Sequence, residues 1–336
     1  MKLHRQDLEN YYALLPVLGA YLALLLVGSS QPDVWQLVAM LAFYCALGQA
    51  FNLFLGMTGY VDFGYVAFVG VGTYGMALSI SGLSDMPDLG VWVIVIGLLV
   101  GAAMATVLSL AVGAVALRLR GAYFAIATIG VNEGFRYFIE GTHIWNGSDG
   151  IVFSRDLRLI FGRETAIELT TFWADVLVIG IAAMAAVVTL IYMRSKIGYA
   201  LTALRADEDA AKVIGINVTK YKIMAFITSA VFAGLLGGAA WALKLTYVFP
   251  SDVFEIHYTV EAIVIVMLGG AGTLLGPIAG GLVYGLSKYW LAVILPGFQL
   301  LLFAPLLLVI VVLFPEGLVG VLKKRLRGHP LAKLII

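Results

Sequence analysis

Long apolar runs, separated by short polar stretches, make up most of the chain. A helix that spans a bilayer needs about 20 mostly apolar residues, which is the length of these runs. The pattern predicts ten such segments, namely Tyr12–Val27, Val34–Leu55, Phe63–Ile80, Val91–Leu117, Ala122–Phe138, Phe172–Tyr192, Tyr221–Leu243, His257–Leu268, Leu274–Leu295 and Phe298–Phe314. The sequence therefore predicts an all-α, polytopic membrane protein with about ten transmembrane helices in a single domain over residues 1–336. The eighth segment is short and ends at two glycines, so we expect a broken or tilted helix there.

Composition agrees with this class, because 62% of the residues are hydrophobic and only 12% are charged. Soluble domains carry about 25% charged residues. The net charge of +1 gives no indication of a nucleic-acid partner. A single cysteine, Cys45, excludes an intrachain disulfide.

Positive charges decide the predicted orientation, since Lys and Arg near membrane ends stay in the cytoplasm. With both termini cytoplasmic, the inner segments carry 15 of the 21 Lys and Arg residues. This orientation makes a segment at about 194–220 cytoplasmic and one at about 139–170 external. The first apolar run, with its basic start and small residues after it, is alternatively a signal peptide, whose removal would leave nine crossings.

Motifs for chemistry are absent from the sequence. The dipeptide Gly-Lys never occurs, so the chain has no P-loop for ATP. No H-E-x-x-H motif or paired-cysteine spacing suggests a metal, and the four histidines are far apart. We expect no catalytic, metal-binding or cofactor-binding residues in this chain, and no enzymatic activity of its own.

A few polar residues lie at membrane depth, where ionisable groups are costly and usually face a bundle interior or an aqueous path. Glu133 and Arg136 are three residues apart and can pair on one helix face. They either line the translocation path or form a neutral pair that holds helices together. The candidates for the path or its gate are Asn52, Asp62, Tyr65, Glu133, Arg136 and Glu261. Lys288, next to Tyr289 and Trp290, is expected to reach the membrane interface.

Glycine is dense in two stretches, Leu55–Gly75 and Leu268–Gly285. In the second stretch glycines recur at four-residue spacing, which favours close packing of helix backbones in lipid. In the first stretch, glycines just before a helix fit close packing or a turn that lines the path equally well.

The charged stretch Ser195–Lys222 interrupts this apolar pattern with eight charged residues. Asp207 is a good N-cap and Gly215 a natural C-terminal stop, which together predict a short helix over Glu208–Ile214. A preceding helix over Ile197–Arg205 would place Leu201 and Leu204 on one face. The stretch is either a surface that docks another protein or a solvated loop whose charges fix topology.

Five or six blocks in order resemble the permease family of branched-chain amino-acid ABC transporters, in its LivM-type branch. They are FNLFLGMTGYVDFGYVAFVGVGTYG, LRLRGAYFAIATIGVNEGFRYFIEG with NGSDGI, SKIGYALTALRADEDAAKVIGINVTKYKIMAF, VFPSDVF with VEAIVIVMLGGAGTLLGP, and LFPEGLVG. The resemblance spans roughly Leu47 to Gly320. The chain departs from the family at Asp62-Phe63-Gly64-Tyr65, where Ser-Leu-Gly-His is common, and at Asn146–Gly150, which puts the substrate in doubt.

The resemblance implies an ABC importer permease fold in the inner (plasma) membrane of a prokaryote. It also implies a second homologous permease subunit, two cytoplasmic ATPases and an external substrate-binding protein as partners, with membrane lipid around the chain and no nucleic acid. The charged stretch would be the ATPase-coupling loop, with the candidate residues Leu201, Leu204, Arg205, Asp207, Glu208, Asp209 and Gly215.

The expected function is that of a permease subunit for branched-chain or related amino acids, with ATP hydrolysis in separate subunits. Urea or short-chain amides are the alternative substrates on the same scaffold. An ion-coupled secondary transporter, with Asp62 and Glu261 as ion sites, is the alternative class.

Overall fold

The computed structural model describes residues 14–30, 32–294 and 317–325, and these are almost entirely helical. The α-helices are α1 (Leu14–Ser30), α2 (Pro32–Asn52), α3 (Leu55–Thr58), α4 (Val66–Gly82), α5 (Trp92–Ala116), α6 (Ala122–Gly141), α7 (Ser154–Phe161), α8 (Arg163–Glu168), α9 (Ala174–Arg194), α10 (Lys196–Ala206), α11 (Glu208–Val213), α12 (Val218–Leu236), α13 (Pro250–Val253), α14 (His257–Gly269), α15 (Gly276–Ile294) and α16 (Gly317–Arg325). Short 3₁₀ helices cover Pro87–Leu89 and Ile144–Asp149, and π-helical turns cover Leu169–Trp173 and Gly237–Leu243. Two short strands, β1 (Ile151–Val152) and β2 (Tyr247–Val248), pair antiparallel and are an addition to the predicted all-helical architecture.

The helices follow the predicted apolar segments closely. The segment predicted at Val91–Leu117 is helix α5, and the short eighth segment is helix α14, which ends at Gly269 as the sequence predicts. The last predicted segment, Phe298–Phe314, lies outside the described residues. The all-α membrane class is confirmed.

Among the described residues, four helices are long and apolar enough to cross a membrane: Val34–Thr58, Trp92–Ala116, Arg163–Arg194 and Val218–Leu243. Two shorter apolar helices cover Leu14–Gly28 and Val66–Gly82. The continuous helices Arg163–Arg194 and Val218–Leu243 each contain one of the two π-helical turns. Such a turn interrupts an α-helix without ending it. Ten crossings with cytoplasmic termini remain a prediction.

Contacts along the chain define two compact units. Unit 1 holds the described residues up to Gly59, Ala182–Val213 and the described residues from Glu261 onward. Unit 2 holds Tyr60–Ile181 and Ile214–Val260.

Unit 2 is built around helix α4, whose glycines allow neighbouring backbones to approach closely. A Cβ on Gly72 would collide with the backbone of Gly234 in α12, and one on Gly75 would lie 2.6 Å from the backbone nitrogen of Gly101 in α5. In lipid, where the hydrophobic effect does not drive helices together, small residues stabilise helix contacts because they let the backbones pack closely.

In unit 1, helix α15 packs against α2 and α14 through its own glycines. A Cβ on Gly281 would lie 2.7 Å from the Cα of Cys45, and one on Gly280 would meet the carbonyl of Ile265. Tyr44, Ile265 and Tyr284 form a buried cluster nearby. The predicted role of the four-spaced glycines in close packing is confirmed.

Candidate functional site

The charged stretch forms two short capped helices, as its sequence predicts. The hydroxyl oxygen of Ser195 accepts from the backbone N–H of Ile197 at the start of α10. The Oδ1 of Asp207 accepts from the N–H groups of Asp209 and Ala210 at 2.9 and 3.0 Å, which caps α11. Gly215 has φ +85°, the left-handed conformation expected after the helix end. The capping prediction is confirmed within about a residue.

The apolar face of α10 is directed into unit 1. Leu201 is fully buried and Leu204 is 3% exposed, and α10 packs against α3. These two leucines therefore anchor the segment to its own unit and are not available to a partner protein. The large exposed apolar side chains of α10 and α11 are Tyr199 and Val213, which are 72% and 87% exposed.

Arg205, at the end of α10, joins two glycine-rich turns of unit 1. Its Nη1 donates to the carbonyl of Gly56 at 2.6 Å and to that of Ala271 at 3.2 Å. Asn52 completes this contact, since its Oδ1 accepts from the N–H of Gly272 at 2.9 Å and its Nδ2 donates to the Thr273 carbonyl at 3.0 Å. We call these residues the Arg205 junction.

Glycine is required at the Arg205 junction for steric reasons. A Cβ on Gly56 would lie 2.6 Å from the backbone nitrogen of Gly272 and would also collide with Asn52. Gly272 itself has φ +75°, which a side chain disfavours. Two glycine stretches that are far apart in sequence thus meet at one arginine.

The charges of α11 pair along the helix. Lys212 lies 3.1 Å from Glu208 and 3.9 Å from Asp209, at i,i+4 and i,i+3 spacing. Exposed pairs of this kind contribute little to stability, about 0.3–0.5 kcal/mol each. They leave α11 as a small, near-neutral surface element.

Lys222, counted above among the loop charges, lies inside unit 2. It is only 1% exposed, donates to the Tyr60 hydroxyl at 2.7 Å and lies 3.9 Å from the centre of the Tyr60 ring. Helix α12 begins at Val218, so Lys222 belongs to its first turns and faces the interior. A loop position for Lys222 is therefore wrong, whereas its place in the predicted segment Tyr221–Leu243 is confirmed.

The turn at Asp62 directly precedes helix α4 in unit 2. The Oδ1 of Asp62 accepts from the Gly64 N–H at 2.9 Å, and the carboxylate is 1% exposed. The Phe63 N–H donates to Thr128 Oγ1 at 3.1 Å. The Tyr65 hydroxyl, another path candidate, donates to the Ser229 carbonyl at 3.4 Å. Helix N-termini favour negative charge, which suits an acid in this position.

Glu133 and Arg136 pair on α6, as predicted, with 3.7 Å between Nη1 and Oε2. The shorter contact of Arg136 is to Glu140, whose Oε1 lies 2.9 Å from Nε. Sequence reasoning missed Glu140, although its i+4 spacing from Arg136 is a detectable signal. Arg136 is thus shared between two carboxylates.

Glu261 and Lys288 form a close ion pair in unit 1. The Lys288 Nζ lies 2.6 Å from Glu261 Oε1 and donates to the Tyr44 hydroxyl at 2.8 Å. A buried carboxylate holds the ammonium group of Lys288, a contact that the sequence did not predict, and an interfacial position for Lys288 stays a prediction. Glu261 lies in α14 and Lys288 in α15, so no helical spacing in the sequence links this pair.

A further ion pair joins Asp175 and Lys244 in unit 2, with 2.6 Å between Oδ1 and Nζ. Asp175 is 4% exposed and lies in the first turn of helix α9. Within the described residues, no three acidic, histidine or cysteine side chains lie close enough to hold a metal ion.

The path candidates therefore fall into separate groups. Asn52 belongs to the Arg205 junction and Glu261 to an ion pair, both in unit 1. Asp62 and Tyr65 lie at the start of α4, and Glu133 and Arg136 pair on α6, all in unit 2.

Comparison with known proteins finds similar sequences over most of the chain. The family described as branched-chain amino acid transport system, permease component, matches residues 33–312. The high-affinity branched-chain amino acid transport system permease protein LivM of Salmonella typhimurium is 28% identical over 313 residues, 87% of this chain and 71% of the relative. LivM of Escherichia coli is 28% identical over 305 residues, 84% of this chain and 69% of the relative.

A probable branched-chain amino acid transport permease protein, LivH of Methanocaldococcus jannaschii, is 28% identical over 137 residues, 40% of each chain. No solved structure matches the chain.

Proposed function

Because the chain belongs to the family of permease components of branched-chain amino acid transport systems, we propose that it forms the translocation path of an ATP-driven importer for branched-chain or related amino acids. It is a permease subunit of an ABC transporter and a multi-pass protein of the prokaryotic inner membrane. The substrate, the inward direction of transport and the set of partner proteins are what we propose.

The observation that carries the proposal is the construction of the charged stretch. Two capped helices follow the apolar helix α9, and one of them is held to unit 1 by buried leucines and by Arg205. The other, α11, carries exposed charges and the exposed Val213. Because α10 is fixed to unit 1 and α11 is exposed, the charged stretch is suited to bind a partner protein and to transmit the partner's movement to unit 1.

The proposed assembly pairs this chain with a second, homologous permease, two cytoplasmic ATPases and an external substrate-binding protein. The ATPases would dock on α11, and their closure would act on the path through α10. Transport is then a shift between two states that ATP binding favours differently.

The ion-coupled alternative has less support. Glu261, one of its two ion sites, is already paired with Lys288. A carboxylate with a fixed ammonium partner has a weakened attraction for a second cation.

Reconstitution with the candidate partner proteins tests the proposal. Proteoliposomes that contain the chain, a second permease, the ATPases and the binding protein should accumulate radiolabelled L-leucine only when ATP is present. Uptake that follows an ion gradient without ATPases would contradict the ATP-driven mechanism. Uptake of urea or acetamide without leucine would select the alternative substrate class.

A matched pair of variants tests whether the ATPases dock on α11. Val213→Asp places a charge at the most exposed apolar position of the segment and should reduce co-purification of the ATPases about tenfold, since a charge against an apolar contact costs one or more kcal/mol. Leu159→Asp is the control, because Leu159 is also an exposed apolar residue, at 58%, in the predicted external segment. Equal ATPase recovery from both variants would contradict docking on α11.

A further inference from the structure

Asp62 keeps one carboxylate oxygen open inside unit 2. Its Oδ1 accepts from the Gly64 N–H, but Oδ2 is buried and has no hydrogen-bond partner among the described residues. An isolated buried carboxylate costs several kcal/mol, so a group that persists in this state usually meets a cation or a donor at some stage of function.

Asn132, on helix α6, leaves a second acceptor open. Its Nδ2 donates to the Phe254 carbonyl at 2.9 Å and to Glu133 Oε1 at 3.3 Å. These two bonds fix which way the amide points. Its Oδ1 is then buried without a partner in the described part of unit 2, and the residue is 0% exposed.

Asp62 and Asn132 both lie along the contact between helix α6 and the N-terminal part of α4. The Phe63 N–H binds Thr128 Oγ1, and Gly64 lies against the Thr128 carbonyl, so the Asp62 turn rests on α6 at Thr128. Asn132 is one helical turn further along the same face. Its partner Phe254 packs on Gly70 of α4, where a Cβ would be 2.6 Å from the ring.

Three backbone donors at this end of α4 are already used. The N–H of Gly64 binds Asp62, the N–H of Phe63 binds Thr128, and the N–H of Val66 binds Thr259 Oγ1 at 3.0 Å. A ligand carboxylate would compete with these side-chain oxygens. A ligand with several N–H donors and a positive charge would instead meet open acceptors.

We infer that Asp62 and Asn132 recognise the α-ammonium group of the amino acid as it passes through this chain, an inference that rests on the proposed function. The ammonium group has three donors, and the charged oxygen of Asp62 would neutralise it. Neutral amides could donate to the same oxygens but would leave the carboxylate charge unbalanced, so the site favours amino acids over urea and short-chain amides.

The test uses the purified full-length chain in detergent and three probes that share one branched side chain. L-leucine and 3-methylbutylamine carry an ammonium group, whereas 4-methylpentanoate carries only a carboxylate. Thermal-shift titration should show stabilisation by the first two probes and not by the third. Equal stabilisation by 4-methylpentanoate, or none by leucine and the amine, would overturn the inference.

Asp62→Asn is the informative variant, because it keeps the size of the side chain and the Oδ1 acceptor for Gly64 while placing an amide donor at the open position. The Kd for L-leucine should rise about tenfold or more, the loss expected for a charge-assisted hydrogen bond. The matched control is Asp156→Asn, which also lies in unit 2 and accepts from the Ser81 hydroxyl at 3.1 Å. Its Kd should equal that of the wild type.

An unchanged Kd in a correctly folded Asp62→Asn chain would contradict the ammonium site but not the proposed importer function. Folding of the variant is checked by its elution volume, and if the variant does not fold, the probe comparison on the wild-type chain decides. Failure of the proposed function is seen separately, as a lack of ATP-dependent leucine uptake by wild-type proteoliposomes.

Discussion

The ion pair between Glu261 and Lys288 gives a quantitative prediction, because its two members differ in burial. The Glu261 side chain is 9% exposed and the Lys288 side chain is 36% exposed. Lys288→Met leaves a buried carboxylate without its cation, which we expect to cost about 3–5 kcal/mol of stability. Glu261→Gln leaves an ammonium group that is partly exposed and keeps its bond to Tyr44, so its cost should be about 1–2 kcal/mol.

The double variant tests this explanation directly. Glu261→Gln with Lys288→Met removes both charges, so it should be more stable than Lys288→Met alone by at least about 1 kcal/mol. The free energy of unfolding is measured by denaturant titration in detergent micelles, followed by circular dichroism. A larger loss for Glu261→Gln than for Lys288→Met would refute the burial explanation, and strictly additive losses would show that the two groups do not stabilise each other.

Two other positions give testable outcomes. Arg205→Ala removes both carbonyl contacts of the Arg205 junction and should lower the free energy of unfolding by about 1–3 kcal/mol. In the reconstituted transporter, the same variant should reduce leucine uptake more than it reduces ATP hydrolysis. An unchanged ratio of the two rates would contradict a coupling role for Arg205. Gly72→Ala would force a methyl group against the Gly234 backbone and should cost about 1–3 kcal/mol, whereas Gly130→Ala, whose Cβ would meet nothing within 4 Å, should be neutral or slightly stabilising in the same unfolding titration.

The sequence predicted the helices well because their signals are local. Apolar length gave the segments, and the bounds of α11 followed from Asp207 and Gly215, whose capping roles depend only on neighbours in sequence. The pair of Glu133 and Arg136 was visible for the same reason, since three-residue spacing on one helix brings two side chains together.

The missed contacts are those between elements. Lys288 and Glu261 are 27 residues apart, and Lys244 and Asp175 are 69 apart. No periodicity links such positions, so a lysine in an apolar helix was assigned to the interface by its aromatic neighbours. Lys222 lies both in the charged stretch and in the predicted segment Tyr221–Leu243, and its buried contact with Tyr60, 162 residues away, has no local signal that decides between the two.

The Arg205 junction also has a consequence for biosynthesis. Gly56 and Arg205 are 149 residues apart, and Ala271 follows 66 residues later. At a synthesis rate of about 5–20 residues per second, the Gly56 carbonyl is made roughly 7–30 s before the arginine that binds it. The helices around Gly56 are therefore made before this contact can form, and the junction closes as a late step that joins the turn at Gly56 to the turn at Ala271.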